Sequence, residues 1–152
     1  MHGIREVWAV GEQGTILHYR NGWTRKGLGR EYMFMRLVLS GSEVWVVGGN
    51  WTETAQVKAG FPRPGIMFRS RDGGNSWENR TPKTASLLYD VFLMGGKGWL
   101  VGAEGAIYYS SDNGDSWARV ESPTKTDLLH IFFLNNDNGW ISGGRSTILK
   151  LK

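Results

Sequence analysis

The sequence predicts an all-β chain built from repeated, four-stranded antiparallel modules. Three observations predict it. Glycine and tryptophan are over-used, at 22 and 8 of 152 residues, while proline is only 4; short strands of aromatic and β-branched residues joined by tight turns leave that signature. One segment recurs at a spacing of 40 residues: Ser70-Arg71-Asp72-Gly73-Gly74-Asn75-Ser76-Trp77 returns as Ser110-Ser111-Asp112-Asn113-Gly114-Asp115-Ser116-Trp117. No window of about 11 residues or more sustains the 3.6-residue hydrophobic period of a helix.

A second motif sets the repeat count. Trp8-Ala9-Val10-Gly11, Trp45-Val46-Val47-Gly48, Trp99-Leu100-Val101-Gly102 and Trp140-Ile141-Ser142-Gly143 are spaced by 37, 54 and 41 residues. The long interval holds an insertion at roughly residues 49–64. The expected organisation is one repeat domain, 1–152, with copies at approximately 1–29, 30–82, 83–124 and 125–152.

Each copy divides into inner, second, third and outer strands bounded by Gly, Asn or Asp. Copy one begins at its second strand, Glu6–Gly11, followed by Thr15–Tyr19 and Trp23–Lys26. Copy two offers Met33–Leu39, Val44–Gly48, the insertion, Ile66–Ser70 and Trp77–Arg80. Copy three is complete: Leu87–Leu93, Gly98–Gly102, Ala106–Ser110 and Ser116–Val120. Copy four supplies Leu128–Leu134, Trp140–Gly143 and Ile148–Leu151. About 14 strands result, roughly three and a half repeats.

The repeated Ser-x-Asp-x-Gly-x-x-Trp unit has a plain physical role. Asp72 and Asp112 are expected to accept hydrogen bonds from amides two or three residues on, closing an Asx-type turn. Gly74 and Gly114 supply a positive φ. Trp77 and Trp117 bury against a neighbouring strand, and Ser70 and Ser110 open the motif. Gly11, Gly48, Gly102 and Gly143 end second strands, with Gly14, Gly65, Gly105 and Gly144 in the turns that follow. These pairs imitate phosphate cradles, yet each leads into a strand rather than opening a helix.

Composition narrows the chemistry. There is no cysteine, which removes disulfides, thiolate catalysis and cysteine-ligated metals. A net charge of +4 is too weak a bias to predict a nucleic-acid partner. The longest apolar runs are about eight residues, too short for a helix crossing a membrane, and no basic-then-apolar leader opens the chain. We therefore expect a soluble protein, with the compartment left open. His2, His18 and His130 lack metal-ligand spacing, and no Ser/His/Asp set has local support. Asn135-Asn136-Asp137-Asn138-Gly139 reads as a turn rather than a calcium loop. The expectation is no cofactor, no metal and no catalytic residue.

The two eight-residue boxes resemble the Asp-box, or BNR, repeat. The Trp-x-Val-Gly-x-x-Gly-x-Ile-x-x-Tyr/Ser pattern, at Trp8–Tyr19, Trp99–Ser110 and more loosely Trp45–Ser70 and Trp140–Leu151, is similar to the photosystem II stability and assembly factor family and its bacterial relatives. The resemblance implies a β-propeller with four-stranded blades. Such relatives form closed rings of more blades than this chain offers. That leaves a fragment, a partial ring, a small ring or open array, or a ring completed by a homodimer. Asp boxes also decorate sialidases, but Phe61-Pro62-Arg63-Pro64 echoes their arginine motif only superficially and lies in the insertion.

The resemblance implies a non-catalytic scaffold binding a protein partner, with an arginine-rich binding patch. The rival is a carbohydrate-binding propeller, lectin-like or sialidase-derived. Loops that interrupt a repeat commonly lie on a binding face. The candidate binding residues are therefore Trp51, Lys58, Phe61 and Arg63 in the insertion, with Arg69 and Arg71 beside it.

Overall fold

A computed structural model describes residues 6–51 and 63–151. The chain is all-β. The first sheet holds β1 (Val7–Val10), β2 (Ile16–Tyr19) and β3 (Trp23–Arg25). The second holds β4 (Tyr32–Ser40), β5 (Glu43–Asn50), β6 (Gly65–Ser70) and β7 (Glu78–Asn79). The third holds β8 (Leu88–Met94), β9 (Lys97–Gly102), β10 (Ile107–Ser110) and β11 (Ala118–Val120). The fourth holds β12 (Leu128–Asn135), β13 (Asn138–Gly143) and β14 (Ile148–Leu151). Every pairing is antiparallel between sequence neighbours. The described residues thus carry three, four, four and three strands, in the expected order, and Asn136-Asp137 form the tight turn between β12 and β13.

The sheets stack as consecutive propeller blades. Side chains alternate across each strand, so a blade has a rear face toward the preceding blade and a forward face toward the next. Between blades one and two, Ile16 and the half-buried Trp8 and Val10 meet Phe34, Val46, Ile66 and Phe68. Between two and three, Trp45, Val47 and Met67 meet Leu88, Val91, Leu100 and Tyr108. Between three and four, Val101 and Ile107 meet Leu128, Ile131, Phe133 and Ile141. The middle strands are consequently apolar on both faces: Trp45 and Val47 look forward while Val46 looks back. Among the described residues no core cluster joins blade four to blade one, so the array is a partial propeller rather than a closed ring.

The Asp boxes form the turns between third and outer strands. Asp72 Oδ1 accepts from the amides of Asn75 and Ser76 at 3.0 and 2.8 Å, and its Oδ2 accepts from Ser76 Oγ at 2.6 Å. Asp112 takes the Ser116 amide at 2.9 Å and the Ser116 hydroxyl. The reach is therefore three or four residues, one more than expected, because the turn is closed in two layers. Ser70 and Ser110 Oγ accept the Gly74 and Gly114 amides at 2.7 and 2.8 Å, beneath the aspartate. The donors to Asp72 and Asp112 hold both carboxyls well below their ordinary value, at about 2, with the Ser76 and Ser116 hydroxyls the largest cause.

The turn after Gly143 passes through Gly144, and its left-handed residues are Arg145 and Ser146, φ +50 and +58, where blades one and three have Gln13-Gly14 and Glu104-Gly105. Aligned from Gly102 and Gly143, Ser146 occupies the place of Gly105.

Candidate protein-interaction surface

The six residues that the sequence nominated for binding fall into three places. Trp51 and Arg63 flank the base of the insertion, just beyond β5 and before β6. The Arg63 guanidinium lies 4.5 Å from the Trp51 ring centroid, a cation–π contact, and both residues are half-buried. The Trp51 amide donates to the Glu31 carbonyl, which anchors the insertion to the segment entering β4. Lys58 and Phe61 lie outside the described residues.

Arg71 lies just past the opposite end of β6 from Arg63, and the six residues of that strand alone span about 17 Å at ~3.3 Å rise per residue. It is half-exposed and pairs with Glu43 at 3.2 Å and Asp115 at 3.3 Å.

Arg69 is fully buried, which removes it from any surface. Its Nη2 donates to Glu78 at 2.9 Å and to Asp115 at 2.6 Å, and its guanidinium stacks 5.0 Å from the Trp45 ring. Asp115 belongs to the next blade, so Arg69 is a cross-blade clasp. Burial opposes its charge, but Glu78 and Asp115 outweigh that and raise its pKa. Glu78, held mainly by Arg69 and then by Arg80, is depressed to about 2. A charged residue on a strand has a side fixed by register, and its sequence alone does not say whether that side meets solvent or the next blade.

The structure adds a cluster that sequence reasoning missed. Each of the three inner strands carries a register shift at the same place, between Phe34 and Arg36, Leu88 and Asp90, and Leu128 and His130. The bulges put Arg36, Asp90 and His130 in equivalent positions on adjacent strands. Asp90 is buried. It accepts from the Ile131 amide at 3.1 Å and pairs with Arg36 Nε at 3.2 Å, with His130 Nδ1 3.7 Å away. Arg36 and His130 remain exposed. The available signal was one acid inside the apolar run Leu87–Leu93. Arg36 is four positions along β4 from Tyr32, which pairs with Asn50, so it lies roughly 13 Å from the insertion base.

Among the described residues, this surface presents the cations Arg63 and Arg36 and the indole of Trp51. Asp72, Asp112 and Glu78 are occupied within turns and clasps. Among the described residues no group of three or more His, Asp or Glu side chains gathers as a metal site would require, and no helix is long and apolar enough to cross a membrane.

Comparison with known proteins follows this architecture. The chain is 27% identical over 128 residues to the photosystem II stability/assembly factor HCF136, chloroplastic, of Oryza sativa subsp. japonica, an alignment covering 76% of this chain and 27% of that protein. The chain thus spans about a quarter of that relative's length. Among solved structures it resembles YCF48 from Cyanidioschyzon merolae, with TM-score 0.66, 22% identity, and coverage of 97% of this chain and 49% of that one. It also resembles a structure of YCF48 bound to D1 peptide, with TM-score 0.63, 22% identity, and coverage of 94% and 48%. The computationally designed Ika4 protein shares the fold at TM-score 0.67 and 10% identity, covering 98% of this chain and 86% of that one. The sequence profile of the family described as photosynthesis system II assembly factor YCF48 matches residues 63–126 and 83–152, so more than half of the sequence, and the chain belongs to that family.

Proposed function

We propose that the chain is a non-catalytic propeller module that binds a protein partner in the manner of an assembly factor. The observation that carries this reading is the family match over residues 63–152. A solved structural neighbour in complex with a peptide supports it further. The contact surface runs from the Trp51–Arg63 pair, with Lys58 and Phe61 of the insertion, to Arg36 and His130 on the inner strands. An indole stacked with one guanidinium, with a second guanidinium roughly 13 Å away, suits an extended peptide that carries an aromatic or apolar side chain and a carboxylate.

Affinity capture with the 152-residue chain, followed by peptide-array binding for the captured protein, tests the reading. Trp51→Ala combined with Arg63→Ala should weaken binding to the selected peptide by about tenfold or more. Arg71→Ala, at the far end of the blade, should leave it within about twofold. Binding to a glycan array that Trp51→Ala abolishes, with no peptide selected, would overturn the proposal in favour of the carbohydrate reading.

A further inference from the structure

The first and second junctions are built on one scaffold, so a difference between them at matched positions points to a local role. At the outer edge of the first junction the polar groups satisfy one another. Lys26 Nζ donates to Asn75 Oδ1 at 2.6 Å, the Trp77 indole donates to the Lys26 carbonyl at 3.2 Å, and Asn79 Oδ1 accepts from the Thr81 amide at 2.9 Å. The second junction carries other residues at those places. Arg80 stands for Lys26, Asp115 for Asn75, Tyr108 for Phe68 and Arg119 for Asn79. An open groove of about 470 Å³ lies there, lined by these four residues together with Lys83 and Trp117. Its walls are the outer strands of blades two and three, each of which has all four strands among the described residues. Neither wall depends on further blades.

Charge does not balance inside this groove. Among the described residues Asp115 is the carboxylate that lines it, and Asp115 already meets Arg69 at 2.6 Å, Arg71 at 3.3 Å and Arg80 at 3.7 Å. Glu78 and Glu43 complete that set, so three guanidinium groups face three carboxylates. Arg119 and Lys83 stand outside it: both are exposed, and neither has a carboxylate partner among the described residues. Arg119 is held in place by the buried Tyr108. Its guanidinium lies 5.7 Å from the ring centroid, and Nη1 donates to the phenol oxygen at 3.5 Å, which leaves the phenol proton to donate. The Trp117 Nε1 atom is buried without a hydrogen-bond partner, unlike that of Trp77. A buried donor without a partner calls for an acceptor.

We propose that the groove between the outer strands of blades two and three binds a phosphate monoester, its oxygens taken by Arg119, Lys83, Arg80 and the Tyr108 hydroxyl. Two uncompensated cations match the charge of about −1.5 to −2 that such a group carries at pH 7, whereas one carboxylate would neutralise half of it. Guanidinium forks suit an acceptor with three terminal oxygens. The volume falls within the range of roughly 300–1,000 Å³ of ligand sites. A phosphorylated side chain of a partner and a free small molecule present the same group, and only the first adds contacts along the groove. This site does not rest on the partner-binding reading, whose residues lie at the insertion and on the inner strands.

Titration of the 152-residue chain with O-phosphoserine and with a library of phosphoserine peptides, followed by the indole N–H resonance of Trp117, tests the proposal; Trp117→Phe assigns the signal. Both probes should shift that resonance. Arg119→Ala should weaken binding by about tenfold or more and Lys83→Ala by about threefold, with the thermal midpoint unchanged because both side chains are exposed. Arg119→Lys should recover only part of the loss, since it restores charge without the fork. Tighter binding of a phosphopeptide identifies a partner protein as the source, and equal affinity for O-phosphoserine identifies a small molecule; either supports the site. No shift at millimolar probe, equal binding of the same peptides with glutamate for phosphoserine, full binding by Arg119→Ala, or loss of binding in Trp51→Ala, Arg63→Ala would each overturn it.

Discussion

Gly114 of the third blade's Asp box lies directly against the indole of Trp45 in the second blade, so closely that a Cβ added at Gly114 would collide with Cη2. Gly74 stands in the same relation to Trp8 one blade earlier, but there the nearest approach is 3.1 Å. The Asp box is thus more than a hairpin turn. It delivers a glycine with φ +79 onto the second-strand tryptophan of the preceding blade, while its own tryptophan enters the same junction. Trp77 donates to the Lys26 carbonyl at 3.2 Å, and Trp117 packs among the residues between blades two and three.

Gly114→Ala should therefore destabilise the chain by about 2–4 kcal/mol, combining left-handed strain with overpacking against a fully buried ring. Gly74→Ala should cost about 1–2 kcal/mol, because Trp8 is only half-buried and has room to move. Urea denaturation of both variants checks the ranking. Adding Trp45→Phe to Gly114→Ala should cost less than the sum of the two single changes.

Arg69 separates packing from charge. Its aliphatic stem and guanidinium fill space against Trp45, whereas its carboxylate partners Glu78 and Asp115 are about half-exposed and regain water when it is removed. Arg69→Met should thus be milder than Arg69→Ala, by about 1–2 kcal/mol in midpoint-derived stability. Arg69→Lys should also lose stability, because one ammonium replaces neither the fork across two carboxylates nor the ring stack.

The Asp boxes predict a specific acid sensitivity. Asp72 and Asp112 have an ordinary value of 3.8 and stand at about 2 in the folded chain. A depressed carboxylate contributes stability that is present above its unfolded value and lost as pH falls through its folded value. Their contribution should be intact at pH 6 and disappear between about pH 4 and pH 2. Thermal melts across that range should fall steeply for the native sequence and less steeply for Asp72→Asn, Asp112→Asn.

Much of this architecture is legible in the sequence because it is local. The strands alternate with period two, the Asp-box turn is self-contained within eight residues, and the repeat multiplies both signals. What lies between blades is not local. Arg69 resembles a solvent-facing rim charge until the register turns it toward Asp115, and Asp90 is an unremarkable acid until a bulge aims it across two neighbouring strands. Trp51 and Arg63 are 12 positions apart in the sequence and meet only because β5 and β6 pair.

Asp90 accordingly tests the cross-blade logic. Asp90→Ala would leave the buried Ile131 amide without its acceptor and Arg36 without its counter-ion, a loss of about 2–3 kcal/mol. Asp90→Asn keeps an oxygen for the amide and should recover part of it. Hydrogen exchange at the Ile131 amide should quicken in the alanine variant before global unfolding does.

Ser146 offers a change in the opposite direction. Its φ of +58 is strained for a residue with a side chain, and the equivalent positions Gly14 and Gly105 carry none. At Gly105 the glycine is also enforced sterically, since a Cβ there would strike the Thr124 carbonyl oxygen of the segment that crosses above it. Ser146 is exposed, so its cost is conformational alone. Replacing it with glycine removes left-handed strain of about 1 kcal/mol or more and adds chain entropy to the unfolded state that offsets roughly 0.5–1 kcal/mol. Ser146→Gly should then be neutral to stabilising by up to about 1 kcal/mol, whereas Gly105→Ser should be severely destabilising. Denaturation midpoints for this reciprocal pair distinguish strain at the backbone from collision with the next segment.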